Sequence, residues 1–379
     1  MSAQPYISLS NLDKVNWLRL IRSTNVGPTT FQQLLSRFGS AAEALAALPE
    51  LVRRSGAKPV RLGTQQSAER EIAGITALGG RLIGRSEPDY PPRLRMIEDA
   101  PPLIHVLGNP DLLRKKSIAI VGSRNASTNG LSIAREIAGD LGRGGYSIVS
   151  GLARGLDAAA HQGAIETGTV AILGGGVDII YPKQNTDLYH QIRDSGALVS
   201  EAPLGAPPTA RSFPQRNRII SGMSRGIVVV EAAPRSGSLI TARLALEQGR
   251  EVFSVPGSPR DPRCRGSNQL IRDGAILTES ADDVFAGFDQ MGSGTCDTLA
   301  EEPTPIICAE AIEKPDLDPH PTTRSAVINA LGPTPTLIDE LVRTFGDPPA
   351  SIATVLLELE LAGRMERLPG NRVALIGME

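Results

Sequence analysis

From Lys116 onward the chain repeats one pattern: a run of four or five mostly aliphatic residues, a cluster of glycine and serine, then a segment with helical spacing. Runs this short and this apolar read as strands buried on both faces, which is the condition of a parallel sheet. The expected strands are 117–121, 147–150, 170–173, 197–200, 227–231, 252–255 and 276–278, with helices between most of them. This alternation dictates an α/β fold, an extended Rossmann-like doubly wound sheet, and such sheets bind ligands at the carboxyl ends of their strands.

The strand ends carry the unusual residues. The first ends in Gly122-Ser123-Arg124, and the second in Ser150-Gly151-Leu152-Ala153-Arg154-Gly155-Leu156-Asp157. The third ends in Gly174-Gly175-Gly176, with Tyr181-Pro182-Lys183-Gln184-Asn185 close behind. Glycines let a backbone approach a ligand closely, and arginines at strand ends supply charge-assisted bonds to phosphate. Between 212 and 241 three signals crowd together: Phe213 lies just before Arg216-Asn217-Arg218, a buried strand follows, and Ser236-Gly237-Ser238 leads into a helix over 239–249. Small residues between a strand and a helix leave amides for an anion. An aromatic plate, guanidinium forks and a phosphate nest together fit a polyanion that carries bases. Each residue also has a plainer reading. Phe213 also fits a core position, one of Arg216 and Arg218 is expected to be structural and the other to face ligand, Lys183 also fits a solvated lysine, and Asp157 also fits a helix cap.

The net charge of −2 argues against a nucleic-acid binder until its distribution is read. Residues 205–275 hold eleven arginines against five acids, whereas 276–320 hold eleven acids and one lysine. A basic module followed by an acidic connector hides a local cationic face. No cofactor fingerprint is present: Gly174-Gly175-Gly176 lacks the later glycine of GxGxxG, since position 179 is Ile179, and GxxxxGK[ST] does not occur. Cys264, Cys296 and Cys308 form no CxxC pair, which points to a reducing cytoplasm and to no metal site. No apolar run is long enough to span a membrane, and the first residues lack a secretion signal. Glu201, Glu231 and Asp178 stand at strand ends without a convincing His or Cys beside them, and His161 reads as a structural hydrogen-bonder. The expectation is binding without catalysis, with no catalytic residues and no cofactor.

Four segments are expected: an N-terminal helical domain over 1–80, the core with its leading connector over 81–288, an acidic linker over 289–320 and a winged helix over 321–379. Near the N-terminus, Asn25-Val26-Gly27-Pro28 separates two short helices, as in a helix-hairpin-helix, whose turn either contacts a phosphate or simply packs. The prolines at 88, 91, 92, 101 and 102 predict that 81–107 is an extended connector. Three amphipathic helices and a hairpin around Pro369-Gly370-Asn371 give the winged-helix pattern. With seven acids and five bases over 321–379, that module suits a protein partner at least as well as DNA.

The ordered series VGSR at 121–124, SGLARGLDAAAH at 150–161, GGGVDIIYPKQN at 174–185, SE at 200–201, FPQRNRIISG at 213–222, SGSLITA at 236–242 and VPG at 255–257 closely resembles the DNA-processing A (DprA/Smf) family. The resemblance covers about 89–275. It implies a bacterial cytoplasmic protein that binds single-stranded DNA, dimerises, and helps load a RecA-type recombinase during natural transformation. The family's GSR arginine falls on Arg124 and its phenylalanine before RNR on Phe213. Some members carry a lysine three residues before that phenylalanine; here Ala210 stands there, with Arg211 beside it. The expected single-strand contacts are therefore Gly122, Ser123, Arg124, Ser150, Gly151, Ala153, Arg154, Gly155, Lys183, Asn185, Arg211, Phe213, Arg216, Asn217, Arg218, Ser236, Gly237 and Ser238. The competing class is a Rossmann-like nucleotide hydrolase of the lysine-decarboxylase-like group, whose PGGxGTxxE loop ends in a glutamate; here Ala242 and Arg243 follow Thr241. A third reading is a regulator acting through its winged helix.

Overall fold

The structure, a computed structural model, describes residues 8–54, 61–292, 320–368 and 370–376. They fall into two compact units. Residues from 71 to 292, with residue 8, form the larger one, and residues 9–70 with those from 320 onward form the other. Most of the expected acidic linker, with Cys296 and Cys308, lies outside the described residues, as does Pro369 of the expected hairpin turn.

The chain opens with helices α1 (Asn11–Ile21), α2 (Pro28–Phe38), α3 (Ala41–Arg54) and α4 (Gln65–Ala77). A capping box starts α1, with Ser10 Oγ accepting from the Asp13 amide and Asp13 Oδ2 from the Ser10 amide. Pro28 opens α2 at a position where a missing N–H costs nothing.

The larger unit is built on nine strands: β1 (Arg81–Gly84), β2 (Leu103–Gly108), β3 (Ser117–Val121), β4 (Ser147–Ser150), β5 (Thr169–Ile172), β6 (Ala197–Ser200), β7 (Gly226–Val229), β8 (Glu251–Ser254) and β9 (Ile276–Leu277). Their order is β1-β2-β6-β5-β4-β3-β7-β8-β9. Strands β3 to β9 are parallel, whereas β1 pairs antiparallel with β2 and β2 with β6. The proline-rich stretch is therefore not a connector. Its prolines fall between strands: Pro91 caps and Pro92 opens the short α5 (Pro92–Arg95), and Pro101 and Pro102 end just before β2, so no ladder amide is missing. The apolar run of Leu103 to Leu107, broken only by His105, was the signal to read.

Helices α6 (Thr128–Arg143), α7 (Leu156–Gly163), α8 (Thr186–Ser195), α9 (Ser212–Met223), α10 (Gly237–Glu247), α11 (Arg265–Arg272) and α12 (Ala281–Gly292) complete this unit. Alternate residues of β3 feed two separate cores. Ile118 and Ile120 pack with α6, α7 and α12, while Ala119 and Val121 pack with α9 and α10. That is the expected doubly wound arrangement, extended by an antiparallel pair. No helix among the described residues is long and apolar enough to cross a membrane.

The second unit adds α13 (Pro321–Ala330), β10 (Thr336–Leu337), α14 (Ile338–Phe345), α15 (Pro349–Leu361), β11 (Met365–Leu368) and β12 (Arg372–Leu375). The three strands form an antiparallel sheet in the order β10-β12-β11, as in a winged helix.

Candidate nucleic-acid interface

The first wall of the site is the loop after β4. Its chain reverses sharply, with Leu152 at φ 56° and Gly155 at φ 79°. Gly155 must be glycine twice over, because a side chain there would also press on the carbonyls of Ser123 and Arg124. This close approach ties the end of β4 to the end of β3 and so places Arg124. Three side chains hold the loop in shape. Asp157 accepts from the amides of Gly151 at 3.2 Å and Ala153 at 3.4 Å. Asn185 donates to the carbonyls of Leu152 at 2.9 Å and Ala153 at 3.2 Å. Arg216 donates from Nη2 to the Gly151 carbonyl at 2.7 Å, and a Cβ on Gly151 would overlap its guanidinium.

Opposite this wall stands an aromatic corner. Phe213, in the first turn of α9, lies beside Gly174 and takes the Arg124 guanidinium over its ring at 5.3 Å from the centroid. The Tyr181 ring sits 5.7 Å from Phe213, tilted by 40°, and is 49% exposed. Walls and corner enclose a cleft of about 460 Å³ lined by Arg124, Arg154, Tyr181, Lys183, Phe213 and Arg216, together with the backbone of 151–153 and 173–175. Among the described residues no carboxylate lies within ion-pair distance of Arg124, Arg154 or Lys183, all of which are exposed. The cleft floor is different. Burial pushes the Asp157 carboxyl above its ordinary range, opposed by Arg216 and the two amide bonds. Burial likewise pushes the Arg216 guanidinium down, with Asp157 opposing and Arg124 adding like-charge repulsion. Below them His161 is fully buried, its Nδ1 is 2.7 Å from Thr169 Oγ1, and burial holds its pKa at about 3.

The structure thus gathers Arg124, Gly151, Ala153, Arg154, Lys183, Phe213 and Arg216 around one cleft. It assigns other expected contacts to holding the fold. The Gly151 and Ala153 amides serve Asp157, so they are not a phosphate nest. Ser150 is fully buried and donates to the Ile120 carbonyl. Gly122 packs against Leu156 and the Glu231 carbonyl, and Ser123 Oγ caps the Asn125 amide. Arg216, Asn217 and Arg218 all lie inside α9 and are buried, and of the two arginines only Arg216 lines the cleft. Arg218 pairs with Glu201 at 2.5 Å and Asp99 at 3.3 Å, and Asn217 donates to the Gly237 carbonyl at 3.4 Å. Arg211 is exposed at the start of α9, outside the cleft lining. Ser236, Gly237 and Ser238 begin α10, two residues earlier than the helical spacing suggests, and the hydroxyls of Ser236 and Ser238 lie 2.6 Å apart. They too lie outside this lining. Tyr181 is the residue that sequence reasoning left out of the site, although its place in an exposed loop after a glycine run was visible.

The topological switch between β3 and β7, where a dinucleotide would sit, is filled by Glu231. Its carboxylate accepts from the Ser127 amide at 3.0 Å and from the Ser127 hydroxyl, and it packs against Gly130. Among the described residues no group of three His, Cys, Asp or Glu side chains is arranged to hold a metal.

A family model described as DNA recombination-mediator protein A matches residues 81–289. A DprA-like N-terminal HHH domain matches 11–74, and a DprA winged helix domain matches 311–371. Protein Smf of Escherichia coli is 38% identical over 314 residues, which is 82% of each chain. The crystal structure of DNA processing protein A from Streptococcus pneumoniae is 35% identical, covering 74% of this chain and 98% of that one at a TM-score of 0.62. A structure of the Helicobacter pylori protein, described for its single-stranded DNA binding mode, is 25% identical, covering 56% of this chain and 96% of that one at a TM-score of 0.52.

Proposed function

The chain belongs to the DNA recombination-mediator protein A (DprA/Smf) family, and from that membership and the geometry of the cleft we propose that it binds single-stranded DNA across the ends of β3, β4 and β5. The observation that carries this reading is the Arg124–Phe213–Tyr181 corner, an unpaired guanidinium lying on one of two neighbouring rings in an open cleft. Phosphates run past Arg124, Arg154 and Lys183, while one or two unpaired bases stack against Tyr181 and Phe213. Stacking on a ring face accepts any base, and phosphate contacts carry no sequence information, so the site has little sequence preference. A base inside a duplex cannot leave its stack without breaking its pairs, which favours single strands. Arg216 acts behind this surface by fixing the Gly151 carbonyl and lending positive potential.

We further propose a larger role, in keeping with the family's description as a recombination mediator: protecting incoming single strands and loading a RecA-type recombinase on them during natural transformation, as a homodimer in the cytoplasm. Nothing in this role requires bond breaking by the protein. The reading is tested with a labelled oligonucleotide, single- and double-stranded, titrated across a salt series. Strong single-strand preference with affinity falling steeply in salt is the expected result. No single-strand binding at low salt would sink it, and nucleoside monophosphates would then be tried as hydrolase substrates.

A further inference from the structure

The C-terminal winged helix departs from what a duplex reader needs. In a helix-turn-helix the helix corresponding to α15 lies in the major groove and offers polar and basic side chains to the base edges. The sequence of α15, PASIATVLLELEL, contains no lysine or arginine and two glutamates. Thr354, Val355, Leu356, Leu357, Glu358 and Leu359 are buried in succession, so the helix is covered all round from 354 to 359, and the exposed residues of its first turns, Pro349, Ala350 and Ala353, have no side-chain group that could bond a base edge. Glu358, 1% exposed, is held in that interior by a two-pronged bond from Arg324 of α13, at 2.8 and 2.9 Å.

The outer face of α15 is covered by the N-terminal helices. Ile352, Val355, Leu356 and Leu359 belong to the winged helix's own core. Leu357 and Leu361 belong instead to the cluster of α1, α2 and α3, with Leu20, Val26, Phe31 and Leu34. Three polar bonds frame this apolar seam. Arg37 Nη1 donates to Thr354 Oγ1 at 2.8 Å, and Arg367 Nη2 donates to Gln33 Oε1 at 3.3 Å. Asn25 Nδ2 donates to the Leu361 carbonyl at 2.9 Å, satisfying one of the carbonyls that a helix end leaves open. Asn25 stands at φ 62° in the turn between α1 and α2, which is the turn a helix-hairpin-helix would present to a phosphate.

From this juxtaposition we propose that α15 and the α1–α2 hairpin are each other's partner. The winged helix of this chain is an intramolecular docking face for the N-terminal helices, and both candidate nucleic-acid-facing elements of the unit are withheld from DNA. The acidic balance of 321–379 fits an apolar protein contact and opposes a phosphate backbone.

Hydrogen exchange on the full chain tests this, alone, with a single-stranded oligonucleotide and with a blunt duplex of the same length. Slow exchange of α15 and of the turn 22–28 is expected, unchanged by either DNA. Leu361→Asp places a carboxylate in the seam, outside the winged helix's own core, and is expected to speed exchange of α2 and α3 by about tenfold or more. Single-strand affinity should stay within about twofold, since the two regions share no partner. If Leu361→Asp also loosens α13 and α14, the double variant Asn25→Ala with Arg37→Ala is read instead, and faster exchange at both α2 and the C-terminal turn of α15 is expected. Protection of α15 or of the turn by duplex DNA would overturn the proposal. So would exchange of α2 unchanged in both variants.

Discussion

The cleft at the ends of β3, β4 and β5 and the winged helix both contain arginines and helices of the kind that bind nucleic acid, yet they handle charge oppositely. At the cleft, Arg124, Arg154 and Lys183 are exposed with no carboxylate of the described residues in reach, and two aromatic rings line the same cleft. In the winged helix, Arg324 is bonded to Glu358 and Arg367 to Glu360, and the helix meant for a groove carries no basic residue and is buried over most of its length. The difference teaches that charge available to a ligand is charge the fold leaves unpaired. The same rule separates residues within the core, where Arg124 is unpaired and Arg218 is held by Glu201 and Asp99.

The sharpest way to break that contrast is to remove one arginine of each kind. Arg124→Ala should weaken single-strand binding by about 2 kcal/mol, roughly thirtyfold, and lower the magnitude of the salt slope by about 0.7. Arg218→Ala should leave the slope unchanged and lower the melting temperature instead, because a nearly buried guanidinium and its bonds to Glu201 and Asp99 are lost. A salt slope that drops in both variants, measured by anisotropy, would erase the distinction between them.

The aromatic corner comes next. Phe213→Ala and Tyr181→Ala should each cost about 1–2 kcal/mol of affinity with no change in salt slope, since stacking releases no counterions. Tyr181→Phe should bind within about twofold of the parent, because the ring does the stacking. If only Phe213 matters, Tyr181 is a lid on that ring and not a second platform.

His161 probes the floor beneath. Its pKa is held at about 3, whereas an unfolded histidine titrates near 6.5. The unfolded chain therefore takes up a proton as pH falls below about 6.5 and the native chain does not, so stability declines by about 1.4 kcal/mol per pH unit from this group. Asp157 works in the opposite sense at lower pH, since its raised carboxyl favours the protonated native state and stabilises as pH falls through its folded pKa. The decline should set in near pH 6.5, reach its full slope about one unit lower, and ease where Asp157 begins to take up its proton. His161→Gln should flatten that window in a urea-melt series; an unchanged slope would mean the histidine is hydrated.

How much of this was legible follows from what sequence encodes locally. The parallel strands were readable because each is a short aliphatic run, and the cleft residues because glycines and arginines cluster at strand ends. β1 and β2 were hidden by prolines that turn out to lie between the strands. The roles of Arg218, Asn217 and Asn185 depend on partners 17 to 33 residues away, such as Glu201, Gly237 and the Leu152 carbonyl, and no local pattern names those partners. The Gly151 and Ala153 amides were misread for the same reason. Glycine and serine predict a loop that can bind an anion, but here the anion is the chain's own Asp157. Pairing within the seam of α15 was out of reach because it joins residues more than three hundred positions apart.

The smallest expected effect belongs to Lys183, at the start of the turn that also carries Asn185. Its ammonium is exposed and strongly hydrated, so it meets a phosphate as a point charge without the paired bonds of a guanidinium. Lys183→Ala should therefore weaken binding only two- to fivefold at moderate salt, yet still reduce the salt slope by about 0.7, because counterion release depends on the charge and not on the quality of the bond. Lys183→Arg should restore the slope. A lysine that is merely solvated would change neither affinity nor slope. Its neighbour Asn185 would then mark the limit of the site on that side, with the loop serving to hold the wall after β4 and Arg124 carrying the phosphate contact largely alone.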